Sequence, residues 1–469
     1  MLIYLVEDRK VNTPNSLLQV VFQRTRRNFL TLQAFCVVYY RLDEQVAKPR
    51  FWVLRFESFS KEDVLTLNWT FSVRAQEMKS SAIREILKIT ERPDIISFTG
   101  GLPAPELFPV DDLKKACEAV LDEVGPRSLQ YSLTMGILPL RKFLAERLSQ
   151  KGASLTEENI LITGGSQQGL DLVGRVFLEK GVVVICESPT YLGAIQAFNA
   201  YNPHYITVDM DDYGILTDQV EENIKKYKPR LIYVVPNFQN PSGITLSYER
   251  RKQLVKLAEE YYTPIIDDNP YGELRYIGED VPSLKTLGGD LVIQLGTFSK
   301  IISPGLRIGW IVAPTEVMTM FERMKQGADL HTNTFAQYVV AEYVKDGRLD
   351  KHIEQIKAAY GERRDVMIKA MEEYFPENVK WTEPEGGLFL WAQLPSEVSA
   401  TDLLQEALKQ RVAYVPGKPF YPYENKDNTL RLNFSNATPE MIIEGIKRLG
   451  KVFKENIAQT TKLKKVASK

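Results

Sequence analysis

Gly296-Thr297-Phe298-Ser299-Lys300 closes an apolar run, and Arg307 follows within Pro304-Gly305-Leu306-Arg307-Ile308-Gly309-Trp310. A lysine amine loses its proton more readily once desolvated and then forms Schiff bases with carbonyl compounds. By itself Lys300 reads as a surface lysine. The hydroxyls of Thr297 and Ser299 before it and the guanidinium of Arg307 after it suit something more specific: a carbonyl cofactor that also carries a phosphate.

Other segments supply matching chemistry. Ile160-Leu161-Ile162-Thr163-Gly164-Gly165-Ser166-Gln167-Gln168-Gly169 is a strand, a glycine turn and a helix start. Free N–H groups and the helix dipole favour a phosphate there, although such turns are common in any doubly wound sheet. In Pro264-Ile265-Ile266-Asp267-Asp268-Asn269-Pro270-Tyr271, Asp268 is either a turn residue or an ionised carboxylate that keeps a pyridinium nitrogen protonated. Tyr271 is placed to donate to a phenolic oxygen of the same ring. Phe238-Gln239-Asn240-Pro241-Ser242-Gly243 is a tight turn beginning with forked amides, and Tyr191 of Pro189-Thr190-Tyr191 is either a core aromatic or a ring stacked on a flat cofactor. Alternation in Thr429-Leu430-Arg431-Leu432-Asn433-Phe434 sets Arg431 opposite Leu430, Leu432 and Phe434. Arg431 is therefore exposed on a sheet surface or aimed into a cleft, where its fork fits a carboxylate.

The elements that must position these residues alternate short β-branched runs with amphipathic segments between about 159 and 313. This pattern predicts a mostly parallel seven-stranded sheet flanked by helices, with strands at 160–163, 182–186, 205–208, 231–235, 264–268, 291–297 and 308–312. Ligands of such sheets bind at the carboxyl ends of strands, where the residues above fall. Beyond Pro314, long helical stretches precede strands expected at 379–382, 388–394, 412–415 and 429–434 and a last helix near 439–456, giving a smaller α+β domain. The basic end, 462–469, reads as a frayed solvated tail. The domain organisation expected is a 1–70 extension, a 71–110 arm and substrate loop, a large 111–330 domain and a small 331–469 domain.

Composition narrows the function classes. The 469 residues carry 59 basic and 60 acidic side chains, so no global field points to nucleic acid or an anionic membrane. Cys36, Cys117 and Cys186 are odd in number and far apart, and His204, His331 and His352 form no pair at helical spacing. No disulfide framework and no protein-bound metal are expected, and a reducing cytoplasm fits best. No apolar run approaches the roughly 18 residues of a membrane span, and the first residues follow no basic leader.

Taken together, these residues resemble the fold-type I pyridoxal-phosphate aminotransferases of class I/II, from about Phe71 to the final helix. Arg74-Ala75-Gln76, Ser81-Ala82-Ile83-Arg84-Glu85-Ile86-Leu87-Lys88, Gly100-Gly101-Leu102-Pro103-Ala104-Pro105-Glu106-Leu107-Phe108-Pro109, Gly165-Ser166-Gln167-Gln168 and Lys325-Gln326-Gly327-Ala328-Asp329-Leu330-His331-Thr332 look like the branch with 2-aminoadipate and kynurenine aminotransferases. The resemblance implies that Lys300 carries pyridoxal 5'-phosphate and moves the Cα proton, that Asp268 pairs with the pyridinium nitrogen, and that Asn240 and Tyr271 bond the phenolic oxygen. It also implies that Tyr191 stacks on the ring and that Ser166, Gln167, Ser299 and Arg307 hold the phosphate, with Thr297 assisting. Arg431 would bind the substrate α-carboxylate, Arg84 would read the distal carboxylate of acidic substrates, and the Gly100-Gly101 loop would lie over the substrate. Tyr131 matches a tyrosine that reaches the neighbouring subunit's phosphate, which implies a homodimer with sites at the interface. The reaction implied moves an amino group from an L-amino acid to 2-oxoglutarate in two half-reactions.

Residues 1–70 depart from that family. They are apolar without a sustained period, and the expectation is that they are dispensable or arise from a misplaced start. One rival reading is a GntR-type transcription regulator with an aminotransferase-like domain, against which stands the absence of a helix-turn-helix pattern and of a long polar linker in residues 1–70. Another is a lyase or decarboxylase on the same fold, since fold does not fix reaction. The pair Arg84 and Arg431 favours dicarboxylate exchange.

Overall fold

In the computed structural model the described residues are the strand segments 2–5, 17–23 and 37–41, then 69–78, 94–423 and 426–467. The chain divides into two compact units, Met1–Phe71 and Ser72–Lys469. In the first, β1 (Leu2–Leu5), β2 (Leu17–Gln23) and β3 (Val37–Arg41) form an antiparallel meander. LLQVVFQ and VVYYR are β-branched and aromatic enough for strands, yet apolar on successive residues, which is why periodicity alone assigned nothing there.

The second unit is built on β5 (Ile160–Thr163), β6 (Val183–Ser188), β7 (His204–Asp211), β8 (Gly214–Ile215), β9 (Leu231–Val234), β10 (Ile265–Asp268), β11 (Val292–Thr297) and β12 (Gly309–Val312), in the order β5-β12-β11-β10-β9-β6-β7-β8. Strands β11, β10, β9, β6 and β7 run parallel, and β12 lies antiparallel between β11 and β5. All seven expected strands are present. The eighth, β8, is a two-residue return of β7 made possible by Gly214 at φ +102°, too short to leave a pattern in sequence.

Runs such as Leu231–Val234 are buried at every residue because helices cover both faces. Their period of two sends Leu231, Tyr233, Ile266 and Ile293 into one core and Ile232, Val234, Ile265 and Val292 into the other. The helix Ser166–Phe177 closes the first core with Leu170, Leu172 and Val173, while Thr217–Tyr227 and Tyr248–Tyr261 close the second with Val220, Ile224, Leu254 and Leu257. Each such buried aliphatic contributes about 1.5–3 kcal/mol, so the strand ends rest on a stiff base.

The α+β part holds β13 (Lys380–Trp381), β14 (Phe389–Gln393), β16 (Val415–Pro416) and β17 (Thr429–Asn433), all antiparallel, beside the helices Arg348–Tyr374 and Pro439–Ala467. The single strand expected at 412–415 is two. Val412–Ala413, here β15, pairs in parallel with β4 (Ile96–Ser97), whereas β16 pairs with β17; the chain changes partner at Tyr414, whose buried hydroxyl donates to the Ala400 carbonyl at 2.7 Å. Residues 98–106 are stitched to this part: Asn433 N–H donates to the Phe98 carbonyl, the Ser435 hydroxyl to the Leu102 carbonyl, and Ala104 N–H to the Tyr360 hydroxyl. The Gly100-Gly101 loop is thereby attached to this α+β part.

Candidate active site

The carboxyl ends of β9, β10 and β11 deliver the reactive groups. Lys300 ends the short turn Phe298–Lys300 that continues β11, and its Nζ donates to the Gly101 carbonyl at 2.8 Å. Burial, with the Arg431 and Arg307 cations adding to it, pulls the Lys300 amine down to about 8. A lysine so tuned is neutral often enough near neutrality to act as nucleophile or base.

Asp268 ends β10 and is 1% exposed. Its Oδ2 accepts the Tyr233 hydroxyl at 2.8 Å, while Oδ1 is buried without a hydrogen-bond partner. Burial pushes the carboxyl up to about 7, with the Tyr233 hydrogen bond opposing the rise and Asp267 adding to it. Asp267 points to the other face, where its Oδ2 accepts Gln294 Nε2 at 2.8 Å. An orphaned carboxylate oxygen in an apolar surrounding costs free energy unless a cationic donor meets it, and a protonated pyridine nitrogen is such a donor. The residues present thus fit a pyridinium ring.

Arg431 is 2% exposed, which excludes the solvent-facing alternative. It stacks over the Phe389 ring with Cζ 4.2 Å from the centroid, and donates to Asn240 Oδ1 at 2.8 Å and the Thr99 carbonyl at 2.6 Å. Its Nε is buried and unpartnered, and burial lowers the guanidinium to about 10, with Tyr271 and Tyr191 opposing. Tyr271 is buried, edge-on to Phe389 at 5.9 Å; desolvation drives its phenol well above the usual range, and the adjacent Asn240 amide opposes that. Tyr191 caps the helix Leu192–Asn199, and burial lifts its phenol to about 12.

Several of the residues expected to hold an anion lie near the start of the helix Ser166–Phe177. Gly165 at its N-cap has φ +86°, and a Cβ there would fall 2.6 Å from Arg307 Nη2, so only glycine lets the guanidinium come so close. Arg307 Nη2 donates to the Gly164 carbonyl at 3.0 Å. Thr297 Oγ1 donates to Ser299 Oγ at 2.9 Å and accepts the Ser299 N–H at 3.1 Å, so it orients Ser299. Gln167 is exposed, and its Nε2 donates to the Gly193 carbonyl at 3.0 Å. Tyr131 is 79% exposed and meets the His331 ring edge-on at 5.7 Å. Arg84 lies outside the described residues.

Three supporting groups escaped the motif reading. Tyr233 holds Asp268, and the signal for it was present: a tyrosine inside a fully buried strand must find a partner for its hydroxyl. Glu187, 1% exposed, accepts Val235 N–H at 3.1 Å and Gln239 Nε2 at 2.9 Å, and so builds the turn that presents Asn240. Burial pushes the Glu187 carboxyl up to about 8. Arg251, fully buried, clasps the carbonyls of Leu246 and Pro236, both at 2.9 Å, from beneath that turn.

The sequence profile of the family Aminotransferase class I and II matches residues 105–449. The chain belongs to that family. It is 46% identical to aromatic-amino-acid aminotransferase 1 of Thermococcus litoralis over 394 residues, covering 82% of this chain and 94% of the relative. It is 43% identical to the 2-aminoadipate transaminase of Thermus thermophilus over 399 residues, 84% of this chain and 99% of the relative. Among solved structures, the kynurenine aminotransferase of Pyrococcus horikoshii, described in complex with PMP, superposes with a TM-score of 0.80 at 46% identity, over 82% of this chain and 97% of that one. This aminotransferase is accordingly a pyridoxal-phosphate-dependent transaminase acting on small molecules. Among the described residues no helix is long and apolar enough to cross a membrane.

Proposed function

We propose that this enzyme transfers the amino group of an L-amino acid, 2-aminoadipate or an aromatic one, to 2-oxoglutarate by a ping-pong cycle, as a cytoplasmic homodimer. The observation that carries the reading is the unpartnered Asp268 oxygen buried at a strand end beside a lysine drawn down to about 8. Two of the similar proteins bear names for these donor classes, which supports the choice of donors.

When bound, pyridoxal phosphate supplies an electron sink for the negative charge left at Cα after its proton departs. Asp268 Oδ1 keeps a ring nitrogen protonated, and Tyr233 holds the other carboxylate oxygen so that the group cannot rotate away. Lys300 Nζ takes the Cα proton and returns it, a role that needs an amine neutral near working pH. Arg431 binds the α-carboxylate with donors left over from Asn240 and Thr99, on a cushion of Phe389. Tyr271 and Asn240 donate to the phenolic oxygen, Tyr191 covers the ring face, and Ser166, Gln167, Ser299 and Arg307 hold the phosphate, with Thr297 fixing Ser299. Gly101 places its loop over the substrate, Arg84 reads a distal carboxylate, and Tyr131, exposed on one protomer, reaches the phosphate of the other.

A donor screen with 2-oxoglutarate tests this. Glutamate should form from 2-aminoadipate, aromatic donors or both. Release of ammonia and a 2-oxo acid without glutamate would overturn the transaminase reading, and glutamate formation from neither donor class would overturn the substrate assignment.

A further inference from the structure

The segment Lys325-Gln326-Gly327-Ala328-Asp329 ends the helix Thr315–Asp329, and none of its residues has a part in the proposed reaction. Its lysine is nonetheless 0% exposed, an expensive place for an ammonium. Lys325 Nζ donates to both oxygens of Asp329, at 2.8 and 2.9 Å, and to Gln168 Oε1 at 3.0 Å. Desolvation lowers the amine, and the Asp329 carboxylate opposes that, as befits a retained cation. Gln168 Nε2 in turn donates to Asp329 Oδ2 at 2.7 Å, and Gln168 Oε1 accepts the Gly164 N–H at 2.7 Å.

This arrangement fixes which way the Gln168 amide faces. Turned over, its NH2 group would meet two donors, the ammonium and the Gly164 N–H, while its oxygen would meet a carboxylate. The ion pair thus forces Oε1 towards Gly164. Because Arg307 holds the carbonyl of the same residue, the peptide groups on both sides of the Gly164 Cα are gripped, the preceding one through its N–H and the following one through its carbonyl. Gly164 enters the turn whose next residues, Gly165 and Ser166, open the helix N-terminus.

We propose that Lys325, Asp329 and Gln168 form a clamp that presets the phosphate-binding turn, with Lys325 and Asp329 as positioning residues that act only through Gln168. The inference rests on the phosphate being held at Ser166, Gln167, Ser299 and Arg307, as proposed above. Loss of the clamp frees the Gly164 N–H and with it the Thr163–Gly164 peptide, so the turn must be ordered anew each time the anion binds. The loss is confined to ligands that carry the phosphate.

The test is titration of cofactor-stripped full-length protein with pyridoxal phosphate and, separately, with pyridoxal, which keeps the aldehyde and ring but lacks the phosphate. Lys325→Met keeps the bulk of the buried side chain; Asp329→Ala, at a site one third exposed, keeps the variant series readable if the first misfolds. The expected result is a loss of about tenfold or more in affinity for pyridoxal phosphate, the effect of one good polar contact, with pyridoxal affinity nearly unchanged. A merely structural salt bridge would weaken both ligands in proportion, or neither, and either result overturns the clamp. Failure of the unaltered protein to take up pyridoxal phosphate at all would instead overturn the cofactor assignment beneath it.

Discussion

Asp268→Asn should make the cofactor-stripped enzyme more stable while abolishing its activity, and the gain should depend on pH in a defined way. In the folded chain burial raises the Asp268 carboxyl from 3.8 to about 7. A raised folded pKa means that stability from this group is complete below about pH 4 and is lost as pH rises towards about 7, because the unfolded chain ionises first. A shift of about three units corresponds to about 4 kcal/mol at 1.36 kcal/mol per unit, a ceiling reached only above pH 7. Asparagine has no proton to lose, so the variant escapes the cost. Between about pH 5 and about pH 8 the stability gap between variant and parent should therefore widen by about 2–3 kcal/mol. Denaturant titrations of both stripped proteins at the two pH values would read it. Saturating pyridoxal phosphate should reverse the order, since the ionised carboxylate then meets its cation. Parallel stability curves with no pH-dependent gap would refute the reasoning, for they would mean that the Asp268 carboxyl is solvated or already paired.

Three further outcomes are expected. The rate at which Lys300 captures pyridoxal phosphate, scored as borohydride-trapped adduct, should rise with pH through about 8, because desolvation and the two neighbouring guanidinium groups disfavour its protonated form; a midpoint at 10.5 would count against the buried environment. Gly165→Ala should destabilise the fold by about 1–3 kcal/mol and weaken pyridoxal phosphate binding, because alanine disfavours φ +86° and its Cβ displaces Arg307; unchanged melting and unchanged cofactor titration would refute this. Arg84→Ala should lower kcat/KM for 2-aminoadipate by about ten- to a hundredfold, the worth of a charge-assisted contact, while sparing aromatic donors; equal losses for both would remove Arg84 as the reader of the distal group.

How much of this was legible in the sequence depends on how local each signal was. Lys300, Asp268 and Asn240 sit where apolar strands end in short polar runs, and the rule that open α/β sheets bind ligands at strand ends was enough to place them. The strands themselves were readable because burial on both faces leaves runs such as Leu231–Val234 with no polar residue except one tyrosine. Chain order concealed what depends on distant partners. Arg431 had two possible faces in sequence, and only its reach to Asn240 and Thr99, far apart in the chain, selects the buried one. The break at Tyr414 was invisible for the same reason: nothing local says that Val412 pairs with Ile96 and Val415 with Arg431.

The supporting groups mark a different boundary. Glu187, Arg251 and Lys325 are ionisable and almost wholly buried, and a sequence carries no sign that a given polar group will be withdrawn from water. Each costs desolvation, and each meets it with backbone groups or side chains of a turn that carries chemistry: Glu187 and Arg251 the turn before Asn240, Lys325 the turn before Ser166. A buried ion pair that only stabilised the fold could be exchanged, both partners together, for well-packed apolar side chains at little cost. One that fixes the direction of a peptide or an amide cannot, because no hydrocarbon distinguishes an N–H from a carbonyl. Replacing Lys325 and Asp329 together by apolar residues of similar size should therefore leave the unfolding midpoint closer to the parent's than the turnover is, and the reverse order would assign that pair to the fold alone.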